Sequence, residues 1–268
     1  MQLTAQAVGL PRNRQPAPEG RKKSPHAHSI LMTRRRWIAD EVSDNHAAIT
    51  GEHANHLIRV LRARVGQEFD IATGAIVRRG RIVTIHERRV EFELGEEVTA
   101  APAANVTLLL AIFKFDRMEW AIEKCTELGV ARIVPLIARR TDAHLAAASA
   151  KRAERWRRIA LQASEQSRRA VPPEIAAPTK LQEAVSLAGA LRIVLAESEH
   201  QMLLRDVLVS PISKGEILLA IGPEGGWAED ELDLFQKSGW ISASLGATIL
   251  RAETAAIAAT AITISELA

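Results

Sequence analysis

The second half of the chain is constrained most by an alternation between strand-like and helical segments. Apolar runs of strand length lie at 106–113, 132–137, 191–196 and 217–222, and helical patterns separate them. These runs are apolar throughout, which is typical of strands that are covered on both faces. Their alternation with helices predicts an α/β fold with a parallel sheet over residues 105–268.

The preceding part of the chain has a different pattern. Short strand-like segments lie around the turn signal Thr73-Gly74, and one helix at 52–61 interrupts them. Several short strands at this spacing predict a small β-barrel domain over residues 32–100. A proline-containing segment at 100–104 is predicted to link the two parts.

Residues 1–31 differ from the rest of the chain in composition. They contain four prolines and no apolar periodicity, so we expect a disordered leader or a mis-assigned start, with Met32 as the initiator. They also carry a net charge of +4, so the remaining residues contribute −1 to the chain's net charge of +3. The basic character of the whole chain therefore does not indicate nucleic-acid binding. Local basic clusters at 34–36, 59–64 and 151–169 are more informative.

The single cysteine, Cys125, excludes an internal disulfide and a multi-cysteine zinc site. It favours a reducing compartment, so we expect a cytoplasmic protein without a metal. The spacing of its apolar neighbours predicts that Cys125 lies in the core. No run of about 18 uninterrupted apolar residues is present, so we expect no membrane span.

A glycine-rich loop at 222–226 follows the apolar run 217–222 directly. Ligands of parallel α/β sheets bind beyond the carboxyl ends of the strands. The loop lacks the endings of phosphate-binding and dinucleotide-binding loops, and acidic residues at 229–231 disfavour a phosphate at the next helix. An adenosyl cofactor without phosphate fits this loop better, although a tight turn without a ligand is the alternative.

A second glycine-containing loop leads into the last helix at 253–267, and the two loops are predicted to form two walls of one pocket. A basic helix at 151–169 ends in a polar cluster at 165–169. A further cluster at 114–117 opens another helix, for which Asp116 is the predicted N-cap and Gly129 the end.

Five motifs in this order resemble the bacterial methyltransferases that modify N3 of a uridine in 16S ribosomal RNA, which belong to the SPOUT class. The motifs comprise residues 114 and 116–119; 127–130; 165–167 and 169; 221–226; and 245–246, 249–251 and 253–255. The resemblance covers residues 32–268. It implies a SPOUT-type parallel sheet with a C-terminal trefoil knot, preceded by a PUA-like β-barrel that binds RNA. It further implies a homodimer that acts on 16S rRNA within the small ribosomal subunit.

The resemblance implies S-adenosyl-L-methionine as the cofactor, held largely by backbone groups. The implied cofactor-binding residues are Leu219, Gly222, Pro223, Glu224, Gly225, Gly226, Leu245, Gly246, Ile249 and Leu250. Because N3 of uracil must lose a proton, the candidate catalytic residues are Glu165 as base, Arg169 or Arg251 as stabiliser of the uracil anion, and Glu253 as orienter of Arg251. The candidate RNA-binding residues are Arg34, Arg35, Arg36, Arg59, Arg62, Lys114, Arg117 and Arg168.

Two positions depart from the family pattern. Phe115 stands where the family usually has glycine, and we expect it to narrow the mouth of the pocket. Thr248 stands where the family usually has arginine, which would weaken a contact with an RNA phosphate. The alternatives are a methyltransferase that acts on another RNA or on a ribose 2′-hydroxyl, and a non-catalytic RNA-binding protein of ribosome assembly.

Overall fold

The computed structural model describes residues 36–74, 76–99, 104–209 and 215–267. The predicted leader at 1–31 lies outside these ranges, as does most of the predicted linker at 100–104.

The described residues up to 98 form one six-stranded sheet in the order β1-β4-β5-β6-β3-β2. The strands are β1 (Arg36–Ile38), β2 (Glu41–Ser43), β3 (His46–Thr50), β4 (Glu68–Ala72), β5 (Val77–His86) and β6 (Arg89–Val98). Neighbouring strands are antiparallel except β1 and β4, which are parallel. A helix, α1 (Gly51–Asn55), continues into a π-helical turn, His56–Val60, in the predicted helical segment.

One face of this sheet packs around a small apolar core. Ile49, Ile71, Val90 and Phe92 contribute side chains with no exposed surface, and Leu57 packs onto them from the π-helical turn. Alternation of Val90, Phe92 and Leu94 along β6 places all three on this face, because successive side chains of a strand point to opposite sides.

The described residues from 106 onward form the predicted parallel sheet, in the order β10-β8-β7-β12-β11-β13. Its strands are β7 (Val106–Ala111), β8 (Arg132–Ile137), β9 (Glu174–Ile175), β10 (Thr179–Lys180), β11 (Leu191–Leu195), β12 (Ile217–Ile221) and β13 (Ile241–Ala243), of which β9 pairs beside β8. All the pairings within this sheet are parallel. The prediction of a parallel α/β region is confirmed.

Helices cover both faces of this sheet. They are α2 (Phe115–Leu128), α3 (Ala143–Gln166), α4 (Leu181–Ala184), α5 (Leu204–Leu208), α6 (Glu229–Lys237) and α7 (Ala252–Leu267). Leu108 and Leu110 of β7 face the core that α2, α3, α5 and α7 complete, whereas Leu109 and Ala111 face the core on the side of α4 and α6. Burial of both faces explains why the strands are apolar throughout.

Helix α2 differs from its prediction at the start. It begins at Phe115 with Lys114 as N-cap, so Asp116 lies inside the first turn and is not the cap. Its predicted end is confirmed, because Gly129 adopts a φ of 111° that favours glycine. Cys125 is buried within this helix, and burial raises the pKa of its thiol to about 12, which confirms a core position.

The basic helix is longer than predicted at one end and shorter at the other. It begins at Ala143, where Asp142 accepts a hydrogen bond from the backbone N–H of His144 at 3.3 Å, and it ends at Gln166. Arg168 and Arg169 therefore lie beyond the helix. Trp156 faces inward as predicted and has no exposed surface.

None of the helices in the described segments combines the length and apolar character that crossing a bilayer requires. The same residues contain no group of three or more histidine, cysteine or acidic side chains arranged to hold a metal ion.

Candidate active site

A cavity of about 900 Å³ opens at the carboxyl ends of β11, β12 and β13. Three loops form most of its wall, from segments 195–200, 221–229 and 243–252, and Arg117 and Arg140 complete it. Because β12, β11 and β13 are neighbours in a parallel sheet, their following loops meet at one edge. The two glycine-containing loops thus share one pocket, as predicted.

The loop after β12 is fixed by a tight turn and an aromatic ring. The N–H of Gly226 donates to the carbonyl of Pro223 at 2.8 Å, and Gly226 has a φ of 69°. A Cβ atom on Gly222 would lie 3.2 Å from the indole of Trp227. That indole donates from Nε1 to the carbonyl of Leu195 at 2.9 Å, so the ring is tied to the end of β11.

The loop after β13 is held by backbone hydrogen bonds to the segment after β11. The N–H of Ser244 donates to the carbonyl of Met202, and the N–H of Leu204 donates to the carbonyl of Ser244, both at 2.9 Å. Beyond this crossing, Gly246 has a φ of 126°, a conformation that L side chains rarely adopt. Ile249 lines the cavity with 79% of its surface exposed, which leaves an apolar group available to a ligand.

Nine of the ten predicted cofactor-binding residues line the cavity. Leu219 does not, because it lies in the interior of β12 with its side chain fully buried in the core. Ile221, two residues further along the strand, reaches the cavity wall. That segment 195–200 lines the cavity was not predicted from the sequence. The available signal was that this segment lies at the carboxyl end of the apolar run 191–196.

Arg117 lies in the cavity wall between two carboxylates. Its Nη1 donates to Glu224 Oε1 at 2.9 Å, and its Nε lies 3.8 Å from Glu253 Oε1. Glu253 is only 3% exposed. The prediction that Glu253 orients Arg251 is therefore wrong, because its ion pair is with Arg117. Arg251 itself is exposed in the wall and has no ion pair with a described residue.

Glu165 and Arg169 do not line the cavity of their own chain. Glu165 lies beside the N-terminal sheet, where its Oε1 is 3.5 Å from Nδ1 of His53; we name Glu165, His53 and Asp40 the Glu165 cluster. Burial raises the pKa of the Glu165 carboxyl to about 7, a hydrogen bond from the backbone of Ile38 opposes this rise, and the charge of Asp40 adds to it.

Arg169 is tied to the end of α2 rather than to the cavity. Its Nη1 donates to the carbonyl of Thr126 at 2.8 Å, and burial lowers the pKa of its guanidinium to about 10. The sequence therefore predicted one catalytic group of four residues, whereas the structure separates Arg251 and Glu253 from Glu165 and Arg169.

The predicted RNA-binding residues divide by exposure. Lys114, Arg59, Arg62 and Arg168 are exposed. Arg36 is buried and donates to the carbonyl of Arg168, so its prediction as an RNA contact is wrong. Arg34 and Arg35 lie outside the described residues.

The structure also locates the two positions that depart from the family pattern. Phe115 is not part of the cavity wall, so it does not narrow the pocket. Its ring lies 6.0 Å from that of Trp156 in an edge-to-face contact, and the guanidinium of Arg152 lies 4.8 Å above it. Thr248 does line the cavity.

Comparison with known proteins places the chain among RNA-modifying enzymes. The profile of a family described as "RNA methyltransferase domain" matches residues 100–264. The chain is 34% identical to ribosomal RNA small subunit methyltransferase E of a Synechocystis species, over 85% of this chain and 76% of that protein. It is 31% identical to the Rickettsia conorii protein of the same name, over 85% and 93%.

Two solved structures have the same fold. A ribosomal RNA small subunit methyltransferase E from Neisseria gonorrhoeae, bound to S-adenosyl methionine, matches with a TM-score of 0.76 and 29% identity, over 85% of this chain and 95% of that one. A putative methyltransferase from Legionella pneumophila, in complex with the same cofactor, matches with a TM-score of 0.76 and 28% identity, over 87% and 97%.

Proposed function

Because this chain belongs to the ribosomal RNA small subunit methyltransferase E family, we propose that it methylates N3 of a specific uridine in the 16S rRNA of the small ribosomal subunit. Membership of the family makes it an S-adenosylmethionine-dependent rRNA methyltransferase. The proposal adds the modified atom and the substrate particle. Such an enzyme would act in the cytoplasm.

The cavity at the ends of β11, β12 and β13 carries this proposal. Its loops offer backbone groups, glycines and aliphatic side chains, which suits an adenosyl group better than a phosphate. Glu229 in its wall and the acidic first turn of α6 would repel a phosphate at that helix. S-adenosylmethionine supplies a methyl group activated by a sulfonium when it is bound.

The remaining chemistry concerns the uracil ring. A bond forms between N3 and the methyl carbon while the bond from that carbon to sulfur breaks, and the N3 proton passes to a base. Arg251 is exposed in the cavity wall without a described ion-pair partner, so it is available to stabilise negative charge on the uracil oxygens. The target base must be unpaired or flipped out, because pairing blocks N3.

We assign the proton-accepting role to Glu165, with Arg169 beside it, contributed by a second copy of the chain. A carboxyl with a pKa of about 7 suits proton transfer at neutral pH. Since Glu165 does not line the cavity of its own chain, it can serve there only from another protomer. Trp120, which is 48% exposed on α2, supplies an apolar contact for such a homodimer.

The N-terminal sheet is proposed to be the PUA-like RNA-binding barrel. Arg59 and Arg62 are exposed there, close in sequence to the exposed apolar residues Val60 and Val65. The exposed Arg168 would extend this surface from the end of α3. Phosphates and unpaired bases of RNA are the groups that such a surface attracts.

We further propose that the loops around Ser244 form the trefoil knot of the SPOUT class. The end of β13 pairs with Met202 and Leu204, which follow β11, and the chain then continues into α7. Helix α7 packs against α2 and α5, on the opposite face of the sheet from α4 and α6. Passage of this segment through the preceding loop would close the knot.

Nucleoside analysis by mass spectrometry tests the proposed reaction. Small subunits that lack the modification are incubated with the protein and S-adenosylmethionine, and their 16S rRNA is digested to nucleosides. The expected product is 3-methyluridine. A 2′-O-methylated nucleoside would replace the proposal with ribose methylation. Absence of any methylated nucleoside, with a protein shown to bind the cofactor, would favour another RNA target or a non-catalytic role.

A further inference from the structure

Glu231 joins two segments of the chain that meet at the cavity. Its side chain is 6% exposed, and each carboxylate oxygen accepts a backbone N–H. Oε2 accepts from Ala228 at 2.9 Å, immediately before α6. Oε1 accepts from Arg139 at 2.7 Å, in the loop after β8. One buried carboxylate therefore connects the loop after β8 to the loop after β12.

Helix capping explains only half of this arrangement. A glutamate at the third helical position commonly reaches back to the N–H of the N-cap, as Glu231 does to Ala228. The bond to Arg139 lies outside the helix and adds nothing to its capping. The next residue, Arg140, donates from Nη1 to the carbonyl of Gly225 at 2.7 Å. Two neighbouring residues of one loop thus hold the segment 225–228 at two points.

The segment held in this way forms part of the cavity wall. Gly225, Gly226 and Trp227 line the cavity, and so does Arg140. A loop with three glycines in five residues loses much conformational freedom when it is ordered. Ordering the loop before the ligand arrives removes that loss from the binding step.

We propose that Glu231 is a positioning residue for S-adenosylmethionine, which acts by fixing the glycine loop through the N–H groups of Ala228 and Arg139. We name Glu231, these two N–H groups and the bond from Arg140 to Gly225 the Glu231 clamp. The inference rests on the proposed function only in taking S-adenosylmethionine as the ligand of the cavity. Glu231 itself does not line the cavity, so its effect is transmitted by the loop.

The test compares Glu231→Gln with Asp230→Asn. Glutamine keeps the size of the side chain but turns an NH₂ group toward one of the two N–H donors. Asp230 is the adjacent exposed acid, which pairs only with the side chain of Arg139 among described residues. Titration calorimetry with S-adenosylmethionine, without RNA, is expected to show about tenfold or greater weakening for Glu231→Gln. Asp230→Asn is expected to stay within about twofold of the wild type.

Kinetics separate positioning from general destabilisation. Loss of positioning raises the KM for S-adenosylmethionine and leaves kcat at saturating cofactor nearly unchanged, whereas partial unfolding lowers apparent kcat at an unchanged KM. If the wild type binds S-adenosylmethionine and Glu231→Gln binds it with the same affinity, the clamp is overturned and the proposed function is not. A wild type that does not bind S-adenosylmethionine would overturn the proposed function, and the clamp with it.

Hydrogen exchange of the wild-type protein tests the clamp even where Glu231→Gln does not fold. Addition of S-adenosylmethionine is expected to slow exchange in the peptide that contains the N–H of Ala228 and, equally, in the one that contains the N–H of Arg139. Protection confined to the glycine loop would show that the two segments are not coupled, and would overturn the inference.

Discussion

Ionisable side chains are paired differently in the cavity at the ends of β11, β12 and β13 and in the Glu165 cluster. In the cavity wall, Arg117 lies between Glu224 and Glu253, so each charge has a partner of opposite sign. In the Glu165 cluster, a half-buried carboxyl faces His53 and Asp40, and its Oε1 has no hydrogen-bond partner among the described residues. Pairing favours the charged form of a carboxyl, whereas burial without pairing favours its protonated form.

This difference agrees with the proposed roles of the two regions, ligand binding for the cavity and proton transfer for the Glu165 cluster. The cavity is open, its loops are held by backbone hydrogen bonds, and Arg117 in its wall is paired with Glu224 and Glu253. The Glu165 cluster holds a group whose pKa is raised to about 7 and which does not line this cavity. The cavity has the two glycine loops without Glu165, and the Glu165 cluster has the proposed base without those loops.

The largest effect is expected from adding a side chain at a glycine of the cavity wall. Gly222→Val places side-chain atoms against the indole of Trp227, whose hydrogen bond to the carbonyl of Leu195 opposes the shift that the larger side chain requires. Overpacking of this kind costs about 1–3 kcal/mol, so cofactor affinity should fall by about tenfold to a hundredfold. Calorimetric titration with S-adenosylmethionine measures the change.

Gly95→Val is the matched control for this substitution. A Cβ on Gly95 makes only ordinary contacts, the nearest at 3.5 Å, within strand β6. Its cofactor affinity should equal that of the wild type. An unchanged affinity in Gly222→Val would show that the loop after β12 does not form the binding site.

A somewhat smaller effect is expected when the paired charges of the cavity wall are broken. Arg117→Met leaves the buried Glu253 without its ion-pair partner, so the free energy of unfolding should fall by about 1–2 kcal/mol. Urea unfolding checks this. The double variant Arg117→Met/Glu253→Gln should recover part of the loss.

The control for this pair is Arg88→Met, which breaks an ion pair with Glu52 in which both side chains are exposed. Its cost should stay below about 1 kcal/mol, as expected of exposed pairs. Equal costs for Arg117→Met and Arg88→Met would contradict the distinction between a buried and an exposed pair.

The Glu165 cluster predicts a pH dependence of stability with a definite sign. The folded protein holds the Glu165 proton up to a pKa of about 7, above the ordinary value of 4.5, so the contribution of this carboxyl to stability is greatest below pH 4.5 and falls as pH rises to 7. Discounted for partial exposure, the loss is about 1 kcal/mol. Unfolding of wild type and Glu165→Gln at pH 5 and pH 8 measures it.

Glu165→Gln should show a smaller decrease between these two pH values than the wild type. His53→Gln is a useful companion, because it retains Glu165 and should retain the decrease. A wild type whose stability rises from pH 5 to pH 8 relative to Glu165→Gln would contradict the raised pKa.

The smallest effect is expected at Phe115, which belongs to neither region. Phe115→Leu removes the edge contact with Trp156 and the contact with the Arg152 guanidinium, so stability should fall by less than about 1.5 kcal/mol. Cofactor affinity should not change, since the ring is outside the cavity. A tighter or weaker titration curve would show that Phe115 does influence the pocket.

The strands and the two glycine loops could be predicted because their signals are local. An apolar run followed by glycine marks a strand end, and parallel topology brings neighbouring strand ends together. Leu219 lies inside the same run, so its side chain is buried in the core and not in the cavity wall. The pairing of Arg117 with Glu253 could not be predicted, since it depends on how α2 and α7 pack across a long stretch of sequence.

The same limit applies to the catalytic residues. Glu165 lies in the last turn of α3 and Arg169 lies just beyond its end, so the sequence shows that they are close along the chain but not what they face. Their surroundings come from other elements, His53 from α1 and Thr126 from α2. Arg36 was assigned wrongly for a related reason, because no local pattern distinguishes an arginine in an edge strand from one buried against a distant carbonyl.

The proposal that the two regions act together across a dimer is tested most directly by complementation. Glu165→Gln and Gly222→Val chains are each assayed at an S-adenosylmethionine concentration well below the wild-type Kd, where weakened binding leaves Gly222→Val with little activity. They are then mixed under conditions that exchange protomers, and methyl transfer to small subunits is measured at the same cofactor concentration. If Glu165 serves the partner's cavity, half of the dimers are mixed and each has one intact site, so activity should return to about a quarter of the wild type. No recovery after confirmed exchange would contradict the account, because every mixed dimer would then lack a complete site.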